Sequence, residues 1–233
     1  TYLYVLKDKS DQIAIIDTRD NRMKQTATIT VEDVSEIQEM YLDIERNQLI
    51  AVCDGYVGGK WNDDDYGYGQ RANTTAVTYD ISDRENPKEV GRVSQSGYYN
   101  SSRIADGYLY LFSDYYVTLD GITAKNPKSY IPLVNDNLIK DTDICLPSIL
   151  KADMYSIITS VSLENPNETA HSKALLADGG NLYVSNDNIY FYENVWQYSG
   201  KDVTTIRKVS YESGELTAGA QCKIDGYIND SFS

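Results

Sequence analysis

Short runs of apolar and polar residues alternate along most of this chain. "IAIID", "AVTYDI", "IITSVSL" and "TIRKVSY" each run apolar or alternate over four to seven residues and are rich in β-branched side chains. Such runs predict half-buried or buried strands. Each is followed by a polar turn, "TRDNRM", "SDRENP", "ENPNE" or "ESGE". Asn and Asp there tolerate tight bends and bond to nearby amides, and Pro fixes its own dihedral after the bend. A second strand follows each turn: "QTATITV", "KEVGRVS", "SKALLA" and "TAGAQCKI". Three units then show a further hairpin, as in "SSRIADGYLYLFSD", where Ala105-Asp106-Gly107 is a turn signal between two strand patterns.

The pattern therefore predicts a repeating unit of four short antiparallel strands. Aligned on Asp17, Asp80, Ser162 and Ser210, the units start 63, 82 and 48 residues apart. A base period near fifty residues with insertions is the signature of β-propeller blades. The expected fold is all-β: a propeller of four-stranded antiparallel blades forming an incomplete portion of a larger ring. It is read as a single domain over 1–233, with about three complete blades and one partial or shared blade. Long insertions near 55–73 and 115–154 are expected where blades join. "TYLYVL" at the start supplies an alternative, in which it pairs with the last unit and closes four blades. One stretch cuts across the pattern, because "DVSEIQEMYL" has capping-box spacing at Asp33 and Glu36; the repeat makes it a strand from Glu39.

Composition then narrows the partners. The chain of 233 residues carries 21 Tyr against three Phe, which suits pleated surfaces where a ring packs and a hydroxyl stays wet. Its net charge of -14, with Lys and Arg scattered singly, disfavours nucleic acid and anionic membranes. No apolar run approaches membrane-spanning length, so no membrane insertion by this segment is expected. Cys53, Cys145 and Cys222 lie far apart, so they read as three buried thiols, or as one pair plus a free thiol.

"TTAVTYDISDRENPKEVGRVSQSGYYNSSRIADGYLYLFSDYYV", with "SKALLADGGNLYVSNDNIYFY" and "EMYLDIERNQLIAV", resembles secreted bacterial and archaeal proteins carrying a C-terminal β-propeller domain. The resemblance covers nearly the whole chain. It implies a propeller exported from the cell or held on its surface, with no established activity. It also implies a domain that continues beyond "DGYINDSFS", so the missing remainder of the propeller becomes an expected partner.

Candidate chemistry is sparse. Asp63, Asp64 and Asp65 offer hard oxygen ligands in a Gly-rich loop, but consecutive residues point in different directions and the spacing is not that of an EF-hand. A solvated acidic loop is preferred over a Ca²⁺ site, and no metal or other cofactor is expected. His171 is the only histidine, which excludes a multi-histidine metal site. It is expected at the surface in a turn. No nucleophile elbow is present, and no catalytic residue is nominated. Arg103 is expected to serve backbone carbonyls or an acid between blades. The favoured function is a noncatalytic extracellular module whose face loops engage a protein, peptide or carbohydrate at the cell surface. Tyr66, Tyr68, Tyr115 and Tyr116 are its expected exposed aromatics. The rival is a carbohydrate hydrolase or lyase, which would need a pair of placed carboxylates.

Overall fold

The computed structural model describes residues 1–8, 10–19, 23–56, 72–117, 122, 124–146, 152–177, 181–195 and 202–228, and none of these is in an α-helix. In chain order the strands are β1 (Tyr2–Leu6), β2 (Gln12–Asp17), β3 (Lys24–Thr30), β4 (Glu36–Asp43), β5 (Gln48–Tyr56), β6 (Ala72–Asp80), β7 (Lys88–Ser96), β8 (Tyr98–Ala105) and β9 (Tyr108–Tyr116). Three two-residue strands follow, β10 (Leu133–Val134), β11 (Asn137–Leu138) and β12 (Ile144–Cys145). The rest are β13 (Met154–Ser162), β14 (Thr169–Ala177), β15 (Asn181–Val184), β16 (Asn188–Val195), β17 (Val203–Glu212) and β18 (Glu215–Asp225). The "DVSEIQEMYL" stretch contributes all of β4 but its last residue, Asp43, so the strand starts at Glu36 rather than Glu39.

The strands form four sheets. The first is β1-β2-β3, and the second is β4-β5-β6-β7 with β10 and β11 added at its outer edge. The third is β8-β9-β13-β14 with β12 added, and the fourth is β15-β16-β17-β18. The fold is thus an all-β propeller of antiparallel blades in an open run. β1 pairs with β2 alone and β18 with β17 alone, so the alternative closure of four blades through "TYLYVL" does not form among the described residues.

The repeat read from the sequence is out of phase with the blades by two strands. Its strand–turn–strand half is the trailing hairpin of each blade (β2-β3, β6-β7, β13-β14, β17-β18), and the hairpin after it opens the next blade. Both insertions consequently fall inside blades and not between them. Residues 57–71 join β5 to β6, and residues 117–153 join β9 to β13, which are adjacent antiparallel strands. Each trailing hairpin also carries a register shift, at Ile15/Ile16, Thr78/Tyr79, Ser160/Val161 and Arg207/Val209. A bulge increases local twist, and it recurs here at the same place in all four blades.

Apolar side chains on facing strands fill three interfaces. Ile13, Ile15 and Ile29 meet Leu49, Val77 and Tyr79 between the first and second sheets. Ile50, Val52 and Val93 meet Leu111, Ile157 and Val161 between the second and third. Tyr110, Phe112 and Ile158 meet Phe191, Val209 and Tyr211 between the third and fourth. Each such side chain contributes about 1.5–3 kcal/mol when fully buried.

The long second insertion covers edges. Its β10 pairs with the outer strand β7 of the second blade, and its β12 pairs in parallel with the outer strand β14 of the third. The outer edge is thereby paired at Gln95 of β7 and at Ala174 and Leu175 of β14, which interrupts two templates for unwanted strand addition. Asp143 fastens the strap to β14: its Oδ1 accepts from Lys173 Nζ at 3.1 Å and lies 3.3 Å from His171 Nε2. His171 is therefore in a strand and not in an exposed turn. Its Nδ1 accepts from the Leu216 N–H at 3.2 Å and lies 3.1 Å from Glu215 Oε2.

Candidate ligand-binding face

The connections that leave β5 and β9 emerge at one end of the sheets. The Gly97 N–H donates to Ala72 O, and the Ser35 N–H donates to Asp54 O, so the links into β8 and β4 lie at this end too. The roots of both insertions and the links into β4 and β8 therefore share one face, whereas the tight β4–β5, β6–β7, β8–β9 and β13–β14 turns lie at the other.

At this face the leading strands of the second and third blades are both bulged. β4 shifts register between Ile37 and Glu39, and β8 between Tyr99 and Ser101. The bulges re-aim side chains, as bulges do. They bring Glu39 and Tyr41 from β4 against Tyr99 and Ser102 from β8. Tyr99 Oη donates to Glu39 Oε2 at 2.6 Å, and Ser102 Oγ donates to the same oxygen at 3.0 Å. With its hydrogen directed to Glu39, Ser102 Oγ accepts from Tyr41 Oη at 2.9 Å. Burial chiefly pushes the Tyr41 phenol up to about 12, with the Ser102 hydrogen bond opposing and Glu39 adding. Burial and then the Glu39 hydrogen bond raise Tyr99 as well. Both phenols are neutral donors at pH 7. Ser102 has no activating base beyond a carboxylate that already takes two hydrogen bonds, so the network is built to hold two strands together and present polar edges.

A group of tyrosines lies at the same end. Tyr98 hydrogen-bonds Tyr56 and lies near Tyr116; burial raises its phenol first, followed by Tyr56, Asp54 and Tyr116. Tyr56 is the last residue of β5, Tyr98 the first of β8 and Tyr116 the last of β9. The three thus stand between the roots of the two insertions. Beneath them are two half-buried carboxylates. Asp54 accepts from the Tyr99 N–H at 2.7 Å and from Gln38 Nε2 at 3.0 Å, and burial nevertheless keeps its carboxyl above the usual range. Asp114 accepts from Asn100 Nδ2 at 2.6 Å and Ser156 Oγ at 3.0 Å, with the same burial-driven rise. These acids occupy one register: Asp54 faces Thr74, Asp114 faces Ser156, and Glu193 in the fourth sheet faces Thr205.

The sequence-nominated residues divide. Tyr116 is 47% exposed and belongs to this group. Tyr115 does not, because successive residues of β9 point to opposite faces and it points inward; it is 2% exposed and lies 6.3 Å from the Tyr155 ring. Tyr66, Tyr68, Asp63, Asp64 and Asp65 lie outside the described residues. Tyr56, Tyr98, Glu39 and Tyr41 were not nominated. Their signal is the tyrosine that closes a strand at an insertion root, in "CDGY" and "SDYY", and opens one in "GYY". Arg103 meets its expectation: its guanidinium reaches Val184 O and Asn186 Oδ1 in the fourth blade, each at 3.5 Å. The cysteines are all free, so no pair forms; Cys53 is buried, Cys145 half-buried and Cys222 exposed, so the three-buried-thiol reading holds at Cys53 alone.

A family model described as a beta propeller domain matches residues 1–233. The chain belongs to that family. No curated protein matches it. Among solved structures, this propeller chain is similar to an acylaminoacyl peptidase from Pyrococcus horikoshii, with 11% identity and a TM-score of 0.38 over 94% of this chain and 30% of that one. It is also similar to a functionally unknown protein from Desulfotomaculum acetoxidans DSM 771, with 12% identity and a TM-score of 0.31 over 95% of this chain and 66% of that one. The chain thus spans under a third of the first structure and about two thirds of the second; at these TM-scores neither carries a functional argument.

Proposed function

We propose that this propeller domain is a noncatalytic binding or scaffolding module at the cell surface or outside the cell. It engages a carbohydrate, peptide or protein partner through the face formed by its second and third blades. The observation that carries this reading is the grouping of Tyr56, Tyr98 and Tyr116 at the roots of both insertions. Tyrosines supply rigid contact area with a polar tip, and anchors of this kind dominate interface energetics. The two terminal sheets are in keeping with the reading, because each packs on one neighbouring sheet only and its other face suits a further blade of a larger ring.

A glycan and peptide array tests the proposal, with Tyr98→Ala and Tyr116→Ala as probes. Loss of about tenfold or more in affinity in either variant is expected for a central anchor. A carbohydrate hydrolase or lyase remains the rival, favoured by the raised carboxyls of Asp54 and Asp114 at one end of adjacent blades. Turnover on a hydrolase panel that vanishes in Asp54→Asn or Asp114→Asn would replace the binding reading with that one.

A further inference from the structure

The third blade holds the β17–β18 turn of the fourth at three points. The Gly214 N–H donates to Tyr110 Oη at 3.0 Å, and Gly214 O accepts from Ser160 Oγ at 2.5 Å. Ser160 Oγ in turn accepts from the His171 N–H at 3.0 Å. The third point is the His171 ring, whose Nδ1 accepts from the Leu216 N–H at 3.2 Å. That N–H faces away from β17. Ser213 and Gly214, both at positive φ, form a two-residue turn closed by Glu212 and Glu215, which makes Tyr211 and Leu216 the non-hydrogen-bonded pair. Leu216 is 1% exposed, so its N–H is shut off from bulk water.

The Leu216 tie needs an unprotonated Nδ1. A neutral ring that accepts there carries its proton on Nε2 and donates it to Asp143 Oδ1 at 3.3 Å. Glu215 Oε2 lies 3.1 Å from the same Nδ1, and this tautomer offers it no proton. A protonated ring reverses the preference. Nδ1–H then donates to Glu215, Nε2–H still donates to Asp143, and the Leu216 N–H faces another donor. One nitrogen cannot serve both partners at once, and histidine is the side chain whose charge ordinarily changes between about pH 5 and 8.

Charged groups face the ring from three elements among the described residues. The strap presents Asp143 and, across a cavity of about 310 Å³ that His171 also lines, Lys140. Strand β14 presents Lys173, 3.1 Å from Asp143 Oδ1, and β18 presents Glu215, with Glu212 opposite it in the hairpin. Strand β13 adds only the neutral Ser160. The Glu215 side chain is largely exposed and the cavity gives the ring a second opening, so a proton reaches it from solvent without unfolding.

We infer that His171 is a proton-operated catch on the joint between the third and fourth blades. Neutral, it binds the buried backbone of the fourth blade at Leu216. Protonated, it releases that amide and pairs with the exposed Glu215. Acidification therefore loosens the start of β18, while Lys173 keeps Asp143 and the strap in place. The catch is separate from the tyrosine face and stands or falls without it.

The test follows native-state amide exchange of the whole chain by NMR between about pH 5 and 8, beside the ring nitrogen shifts of His171. Leu216 protection, corrected for the intrinsic pH dependence of exchange, is expected to fall about fivefold or more as the ring protonates. Gly214 is the internal control: burial keeps its partner, the Tyr110 phenol, neutral, so its protection should hold. The neutral ring should carry its proton on Nε2. Glu215→Gln is expected to keep Leu216 protected to lower pH, and His171→Gln to make that protection independent of pH. A neutral ring protonated on Nδ1 would overturn the inference. So would steady Leu216 protection while the ring protonates, or an equal loss at Gly214, which would mean that the whole turn opens. These three readings come from the unaltered chain, so they decide the matter even where a variant fails to fold.

Discussion

The third blade and the fourth are built from the same strand pattern but live in different surroundings. β13 is buried along eight consecutive residues, with a neighbouring sheet on each face and strand partners on both sides. β14 beside it, the outer strand of that blade, still buries Lys173, Ala174, Leu175 and Ala177, whereas in β18, the outer strand of the fourth blade, all but one residue is exposed. The first sheet resembles the fourth: Leu3 and Val5 of β1 are 48% and 43% exposed, and β1 has one strand partner. Strand pattern alone therefore does not set how firmly a blade is held. That depends on whether both faces and the outer edge are covered; β10 and β12 pair with the outer strands of the second and third blades, whereas β3 and β18 gain no such partner among the described residues.

The sharpest way to break this contrast is to empty the centre. Ile157 is fully buried between the second and third sheets, and Ile157→Ala is expected to cost about 4 kcal/mol, whereas Leu3→Ala on the open sheet should cost under about 0.5 kcal/mol. Urea midpoints measure both. Comparable losses would show that the open sheet is as tightly packed as the centre.

Gly91 tests the joint between the second and third blades. A Cβ built there would sit 2.5 Å from Pro166 in the turn of the next blade. Asn167 in that turn donates to Val90 O at 2.9 Å and accepts from the Arg92 N–H at 3.2 Å, serving the backbone at the β7 bulge. Gly91→Val is expected to lose about 3 kcal/mol by overpacking, and Asn167→Ala about 1 kcal/mol by leaving those groups unpaired. A Gly91→Val chain with an unchanged urea midpoint would mean the turn can move aside.

A smaller effect concerns the tie between leading strands. Glu39→Gln and Tyr99→Phe are each expected to cost about 1 kcal/mol, and a double-mutant cycle should return a coupling of about 1 kcal/mol. Additive losses would show that the 2.6 Å contact carries no energy of its own.

The pH dependence should separate centre from strap by sign. Burial raises the Asp54 and Asp114 carboxyls, so the folded chain takes up their protons first. Stability from these two should rise as pH falls through their raised values toward the ordinary carboxylate range, and level off below about 3.9. Asp143 behaves oppositely: burial pushes it up, but hydrogen bonds from Lys173 and His171 outweigh that and hold it low. Its contribution is present above the ordinary value and is lost as pH falls through the depressed one. Asp114→Asn should remove part of the first slope, and Asp143→Asn part of the second, in urea melts between pH 3 and 7. A slope of unchanged sign and size in both variants would contradict the assignment.

Much of this fold was legible because hairpins write themselves into sequence twice, as strand periodicity and as turn residues. Blade phase was not legible: a run of hairpins looks the same whether a blade starts at β2 or at β4, and only sheet pairing decides. The insertions were misplaced for the same reason. At the candidate face, Tyr115 and Tyr116 are adjacent in sequence but point to opposite sides of β9, and sequence could not say which was inward. Glu39 and Ser102 meet only through bulges in two strands more than sixty residues apart, a displacement with no strong local signature. Tyr56 and Tyr98 become a pair only once the second blade is laid against the third.

Native-state hydrogen exchange on the whole chain tests the contrast most directly, since it resolves opening free energy strand by strand. The expected result is slowest exchange in β5, β6, β9 and β13, at the rate of global unfolding. β1 and β18 should exchange faster by about tenfold or more, in opening events that leave the centre closed. Uniform exchange of all four sheets at the global rate would contradict the account, because it would mean that the open sheets are held as firmly as the covered ones.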